Sequence, residues 1–190
     1  MLTVGLVGAG RIGRIHANTI VQYDGSQLVA VADSVDENAK NLAKTYGVNP
    51  TSVDRIFNDN SIEAILIASS TDTHSDFIEK ASKAGKAILC EKPVDLSLAR
   101  AKRCLENTKS NEHAIMMGFN RRFDPNFVTL KKALDGCEIG KAELLSITSF
   151  DPAPPSIDYV KVSGGIFKDM MIHDFDMANF LYGELPKSIF

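Results

Sequence analysis

Glycines 8, 10 and 13 stand in G-x-G-x-x-G spacing, and an acidic residue, Asp33, follows 20 residues after the last of them. That combination is built for a dinucleotide. Gly8 permits a tight turn, Gly10 lets the backbone approach a pyrophosphate that any Cβ would strike, and Gly13 lets a helix pack closely on a strand. Exposed N–H groups at the helix start then meet the phosphate charge. A carboxylate at Asp33 can accept hydrogen bonds from both hydroxyls of an adenosine ribose and would repel a 2′-phosphate, which favours NAD over NADP. The competing reading is a glycine turn with no ligand and an Asp that only caps a helix. The strand before the turn, the helix after it and the distance to Asp33 argue against it.

Three further groups carry chemical potential. The run Ser69, Ser70, Thr71, Asp72, Thr73, His74 follows an apolar stretch, and its small hydroxyl residues leave room for the nicotinamide half of the cofactor. His74 either stacks near the cofactor or caps a helix. Glu91 and Lys92 follow a second apolar stretch, with Pro93 fixing the local turn. An ammonium at Lys92 can hydrogen-bond a substrate oxygen and stabilise alkoxide character, although a loop lysine without chemistry fits the same position. Asp169, His173 and Asp176 fall at i, i+4 and i+7, on one face if the segment is a continuous helix. A histidine flanked by carboxylates suits general-base work, whereas a solvated helix face with an ordinary ion pair is the plain alternative. With no cysteine or second histidine nearby, and with hydride transfer needing no metal, no metal site is expected.

The elements that must position these residues alternate as βαβ units, so the expected class is α/β, a doubly wound parallel sheet of Rossmann type. Strands are expected at Thr3–Val7, Leu28–Ala32, Ile62–Ala68, Ala87–Cys90 and Ala114–Met117. Helices are expected at Ile12–Val21, from a cap at Ser34 or Asp36 to Tyr46, at Asp76–Ala84 and at Leu98–Thr108. After Gly118 the character changes. A helix over Asn126–Leu134, a half-buried strand over Glu143–Phe150, a proline-rich loop over Asp151–Ser156 and a last helix over Lys168–Tyr182 read as the start of an α+β domain. The boundary falls near residue 120, dividing the chain into 1–120 and 121–190.

Composition is that of a globular protein. Hydrophobic residues make up 44% and charged residues 24% of 190 residues, enough for a core. The 21 basic and 24 acidic residues leave a net charge of −3, which suggests neither nucleic-acid binding nor an acidic tail. Cys90, Cys104 and Cys137 are scattered and form no CxxC pair. With no signal peptide and no run long enough to span a membrane, a reducing, cytoplasmic setting is expected, without membrane partners.

Gly8-Ala9-Gly10-Arg11-Ile12-Gly13, Glu91-Lys92-Pro93, Gly118-Phe119-Asn120-Arg121-Arg122-Phe123-Asp124-Pro125, and Gly164-Gly165 followed by Asp169, His173 and Asp176 together resemble the glucose–fructose oxidoreductase and inositol dehydrogenase family, across the whole chain. The resemblance is closest to the inositol 2-dehydrogenase branch. It implies NAD-dependent oxidation of a secondary hydroxyl of a polyol or sugar, with Lys92 binding the reacting oxygen, His173 as general base and Asp169 orienting it. It places Arg121, Asp151 and Asp176 at other ring hydroxyls, and adds Arg11, Ile12, Glu91 and Asn120 to the cofactor contacts. Relatives of full length are expected to be homo-oligomers. Phe150 departs from the pattern, since inositol dehydrogenases often carry a polar or basic residue there. The second domain would be only partly present. A sheet cut after its first strands exposes an apolar face, so the C-terminal part is expected to be poorly supported and NAD binding to survive better than catalysis. An NAD-binding sensor or an inactive fragment without turnover, and a pyranose dehydrogenase, are the alternatives.

Overall fold

A computed structural model describes residues 1–110 and 112–190. They divide into two compact units, Met1–Gly118 and Phe119–Phe190.

The first unit is one parallel sheet with helices on its faces. In chain order it runs β1 (Leu2–Val7), α1 (Arg11–Gln22), β2 (Ser26–Ala32), α2 (Asp36–Tyr46), β3 (Asn49–Pro50), α3 (Val53–Asn58), β4 (Ala64–Ile67), α4 (Thr71–Lys83), β5 (Ala87–Cys90), α5 (Leu98–Thr108) and β6 (Ile115–Met117). The strand order is β3-β2-β1-β4-β5-β6. The chain reverses its direction of travel across the sheet between β1 and β4, and a crevice opens at such a switch point beyond the carboxyl ends of the strands. Adjacent residues of β1 and β4 feed opposite faces. Leu6 and Leu66 join Ala17, Ile20, Leu42 and Ala43 from α1 and α2. Val7, Ile65 and Ile67 join Ile56, Ile78 and Cys104 from α3, α4 and α5. Burial on both faces explains why β4 (AILI) is apolar throughout rather than alternating.

Local chemistry moves several boundaries from their expected places. α4 starts at Thr71, five residues before the expected Asp76, so the hydroxyl run forms its first turn. Neither Ser34 nor Asp36 caps α2. Val35 is the N-cap, without a side-chain bond, and its N–H instead donates to Asp33 Oδ1 at 2.8 Å. Gly47 ends α2 in a left-handed conformation, as its position suggests. The short α3 was not anticipated, although Ser52 caps it by accepting from the Arg55 N–H.

The second unit contains a 3-10 turn (Asn120–Phe123), α6 (Pro125–Asp135), α7 (Ile157–Ser163), α8 (Gly165–Asp169) and α9 (Ile172–Tyr182). Two expectations fail here. Residues 143–150 form no strand, because an alternating pattern needs a partner edge and none pairs with them among the described residues. The last helix is broken. The His173 N–H donates to the Met170 carbonyl at 3.2 Å, and the Met171 N–H reaches back to Ile166 at 2.8 Å, so the helix is interrupted between Asp169 and Ile172. α7 was also not anticipated; Ser156, at the end of the proline-rich loop, caps it.

Candidate active site

The glycine turn joins β1 to α1. Gly8 has φ +102°, and a Cβ there would lie 2.4 Å from the Ala68 carbonyl carbon and oxygen. A Cβ on Gly13 would lie 1.9 Å from the Gly8 oxygen. Both are glycine because the protein itself crowds them. Gly10 is different: a Cβ there would meet nothing within 4 Å. It caps α1 with no side-chain bond to the first-turn N–H groups. The space in front of Gly10 and those amides form the kind of cradle a diphosphate fills. Arg11 is exposed beside it, and Ile12 is half-buried.

Asp33, at the end of β2, has one structural bond on each oxygen. Oδ2 accepts from the Ala9 N–H at 2.6 Å, and Oδ1 accepts from Val35. It ties the glycine turn to β2, a role the sequence reading did not separate from ribose binding. Each carboxylate oxygen keeps a second lone pair for a ribose hydroxyl.

Beyond β4, Ser69 and Thr73 share a hydrogen bond of 2.7 Å between their hydroxyls, and the Thr73 hydroxyl donates to the Ser70 carbonyl. Ser70 is exposed as the N-cap of α4, and Thr71 opens that helix. His74 is only 1% exposed. Its Nδ1 lies 2.7 Å from the Pro93 carbonyl oxygen and its Nε2 lies 3.1 Å from that of Ser69. Burial and these two contacts make it a brace between two loops.

Beyond β5, the Glu91 side chain meets His16 of α1, with Nε2 and Oε1 2.7 Å apart. Burial pushes the Glu91 carboxyl up, but the His16 contact and charge, the Lys92 N–H and the Lys92 charge together outweigh it and hold the group below its ordinary range. Lys92 follows, half-buried, joined to Pro93 by a cis peptide bond. Burial, followed by the Glu91 charge, pushes the Cys90 thiol far up, so this cysteine is an inert core residue.

In the second unit the acidic residues of the last segment go to different partners. Asp169 accepts from the Tyr159 hydroxyl at 2.8 Å. The Asp176 carboxylate, 9% exposed, takes a two-pronged grip from Arg122, with Nε and Nη2 at 2.8 and 2.6 Å. Arg122 also lies over the Phe180 ring. Arg121 pairs with Asp174, and the Ser149 hydroxyl donates to the same Asp174 oxygen at 2.7 Å. The helix expected to carry Asp169, His173 and Asp176 is interrupted between the first two, and Arg122 grips the third. His173 is half-buried, with Phe119 edge-on and ring centroids 6.4 Å apart. Asp151, Phe150 and Asn120 are exposed. Sequence reading missed Asp174, Arg122, Ser149 and His16. The only signal was that two adjacent arginines entering a fold need carboxylate partners. Among the described residues, no group of three or more His, Cys, Asp and Glu side chains could hold a metal ion. No described helix is long and apolar enough to cross a membrane.

Residues 2–119 match the model of an oxidoreductase family with an NAD-binding Rossmann fold, and residues 127–190 match the GFO/IDH/MocA C-terminal domain. The chain is 49% identical over 185 residues to inositol 2-dehydrogenase of Rhizobium meliloti, covering 97% of this chain and 56% of that protein. The crystal structure of a myo-inositol dehydrogenase from Corynebacterium glutamicum matches with a TM-score of 0.90 at 43% identity, covering 95% of this chain and 55% of that one. A scyllo-inositol dehydrogenase from Lactobacillus casei, with bound NAD(H) and scyllo-inositol, matches with a TM-score of 0.84 at 30% identity, covering 96% of this chain and 56% of that one. This chain thus spans little more than half the length of the relatives it matches. A glycine cradle at the switch point of a Rossmann sheet, and sequence likeness running from residue 2 to residue 190, make the chain a member of the GFO/IDH/MocA oxidoreductase family.

Proposed function

We propose that this chain takes part in the NAD-dependent oxidation of a secondary hydroxyl of myo-inositol, or a related cyclitol, to the ketone. The observation that carries the reading is the Gly10 cradle, open where its two companion glycines are crowded by protein atoms. Its amides at the start of α1 suit a diphosphate, and Asp33 suits an unphosphorylated ribose. Likeness to relatives named inositol dehydrogenases supports the choice of polyol.

When bound, NAD supplies the hydride acceptor. The residues supply position and proton handling. Gly8, Gly10, Gly13, Arg11 and Ile12 shape the diphosphate cradle, and Asp33 holds the ribose. Ser69, Ser70 and Thr71 border the nicotinamide half, braced by His74 from below. In the family pattern, Lys92 donates a hydrogen bond to the reacting oxygen and lowers the cost of its alkoxide character, and His173 accepts the hydroxyl proton at a ring nitrogen. Asp169 orients the imidazole. The further hydroxyls fall to Arg121, Asp151 and Asp176, the last while it grips Arg122, since each carboxylate oxygen keeps a second lone pair.

Titration calorimetry of NAD into the purified chain, followed by absorbance of NADH with myo-inositol, tests this. Binding of NAD but not NADP, and NADH formation lost in His173→Ala, are expected. NAD binding without NADH formation from any polyol would overturn the dehydrogenase reading and leave a binding protein. NADH formation from glucose but not from inositol would make it a pyranose dehydrogenase.

A further inference from the structure

Lys92 sits between two residues that are each held by a histidine from a different helix. On its far side, the Pro93 carbonyl oxygen lies 2.7 Å from Nδ1 of His74 in α4. On its near side, the Glu91 carboxylate lies 2.7 Å from Nε2 of His16 in α1. The second contact is unusual in its reach. α1 follows β1, whereas Glu91 follows β5, and β4 lies between those two strands. The His16–Glu91 pair therefore straddles the end of β4, at the crevice where the sheet switches direction.

Several features show that Glu91 is built in rather than hanging free. Its N–H continues the ladder by donating to the Ile67 carbonyl at 2.9 Å. A Cβ on Gly118 would lie 3.1 Å from the Glu91 Cδ and Oε2, so the strand end beside it leaves room for this carboxylate. The two side chains of the pair are only 22% and 21% exposed, which limits competition from water. The Lys92 N–H turns back to the same carboxylate. A shift of the carboxylate would therefore be felt by Lys92 directly.

We infer that His16 is a positioning residue for Lys92, acting through Glu91 and fastening the residue after β5 to the helix that begins at the glycine turn. Because Lys92 matters as the hydrogen-bond donor to the reacting oxygen, the functional part of this inference rests on the dehydrogenase reading. His74 is the fixed side of the arrangement and its loss would report on folding first. His16 is the partly exposed side, where a substitution leaves the core untouched.

The test uses the full chain saturated with NAD and compares His16→Ala, His16→Gln and the His16→Ala/Glu91→Gln pair. A glutamine amide reaches about as far from the backbone as the imidazole Nε2 and donates to the carboxylate; alanine does neither. Two readouts are taken: the Lys92 amide resonance in a proton–nitrogen correlation spectrum, and kcat and KM for myo-inositol. His16→Ala is expected to move the Lys92 resonance and to lower kcat on the order of tenfold to a hundredfold, with NAD affinity within about threefold of the parent. His16→Gln should restore both readouts. The double variant should be no worse than His16→Ala alone, as expected for one chain of contacts. An unmoved Lys92 resonance in His16→Ala, or a folded His16→Gln that restores nothing, overturns the inference. If the parent chain binds NAD but forms no NADH, the dehydrogenase reading falls, while the resonance arm still decides whether His16 places Lys92.

Discussion

Three glycines in one turn answer to different atoms, and single substitutions should separate them. Gly13→Ala drives a methyl onto the Gly8 oxygen and is expected to destabilise the fold by about 3 kcal/mol, the upper range for overpacking, read as a lowered Tm. Gly10→Ala meets no protein atom and should leave Tm nearly unchanged while weakening NAD binding at least tenfold by calorimetry. Equal Tm losses in the two variants would show that the space before Gly10 is not a ligand site. Glu91 makes a prediction in pH. Its folded carboxyl titrates below its ordinary value of 4.5, so its contribution to stability is present above that value and disappears as pH falls through the folded one. The Tm advantage of the parent chain over Glu91→Gln should be full near neutrality and should close in acid below about pH 4. A difference that stays constant with pH would argue that the carboxylate charge is not what His16 and Lys92 stabilise.

Elements are held at their ends by groups that hydrophobic periodicity does not reveal. Lys86, one residue before β5, is 5% exposed, and its ammonium donates to the Asp59 and Ile62 carbonyls, both at 2.7 Å. It joins the end of α3 to the approach of β4, at the amino edge of the sheet. Lys86→Met strands two carbonyls and should cost about 3 kcal/mol of unfolding free energy in a urea titration. NAD affinity should be unchanged, because the cofactor crevice lies at the opposite edge; a large affinity loss would contradict that placement. A serine cap did not by itself make a helix start legible: Ser97 caps α5, which was expected, but Ser52 and Ser156 cap α3 and α7, which were not. α2 begins without a side-chain cap because its N-cap residue is Val35, whose side chain has no hydrogen-bonding group. The last helix is interrupted at Met170 and Met171, between the short α8 and α9.

At the scale of the molecule, the two units differ in how their backbones are satisfied. The first has a continuous parallel ladder with both faces covered. In the second, residues 141–150 form neither helix nor strand. Hydrogen exchange should follow this: amides of β1 and β4 are expected to exchange at least a hundredfold more slowly than those of residues 141–150. Protection of that segment as strong as that of β4 would mean that it finds a partner edge in solution. The same difference bears on assignment. A chain spanning about half the length of its relatives presents the cofactor cradle within its first unit, so NAD binding is the property to measure first.

The Rossmann sheet, the glycine turn and the acidic residue after β2 were all readable from sequence, because each depends on local periodicity or on short fixed spacings. The strand expected at residues 143–150 and the unbroken last helix expected over Lys168–Tyr182 were not, because an alternating pattern does not supply its own partner and a helical spacing does not guarantee an unbroken helix. Partner choice among charges was equally hidden. That Arg122 takes Asp176, Arg121 takes Asp174 and His16 takes Glu91 depends on separations of 54, 53 and 75 residues, which only the folded chain closes.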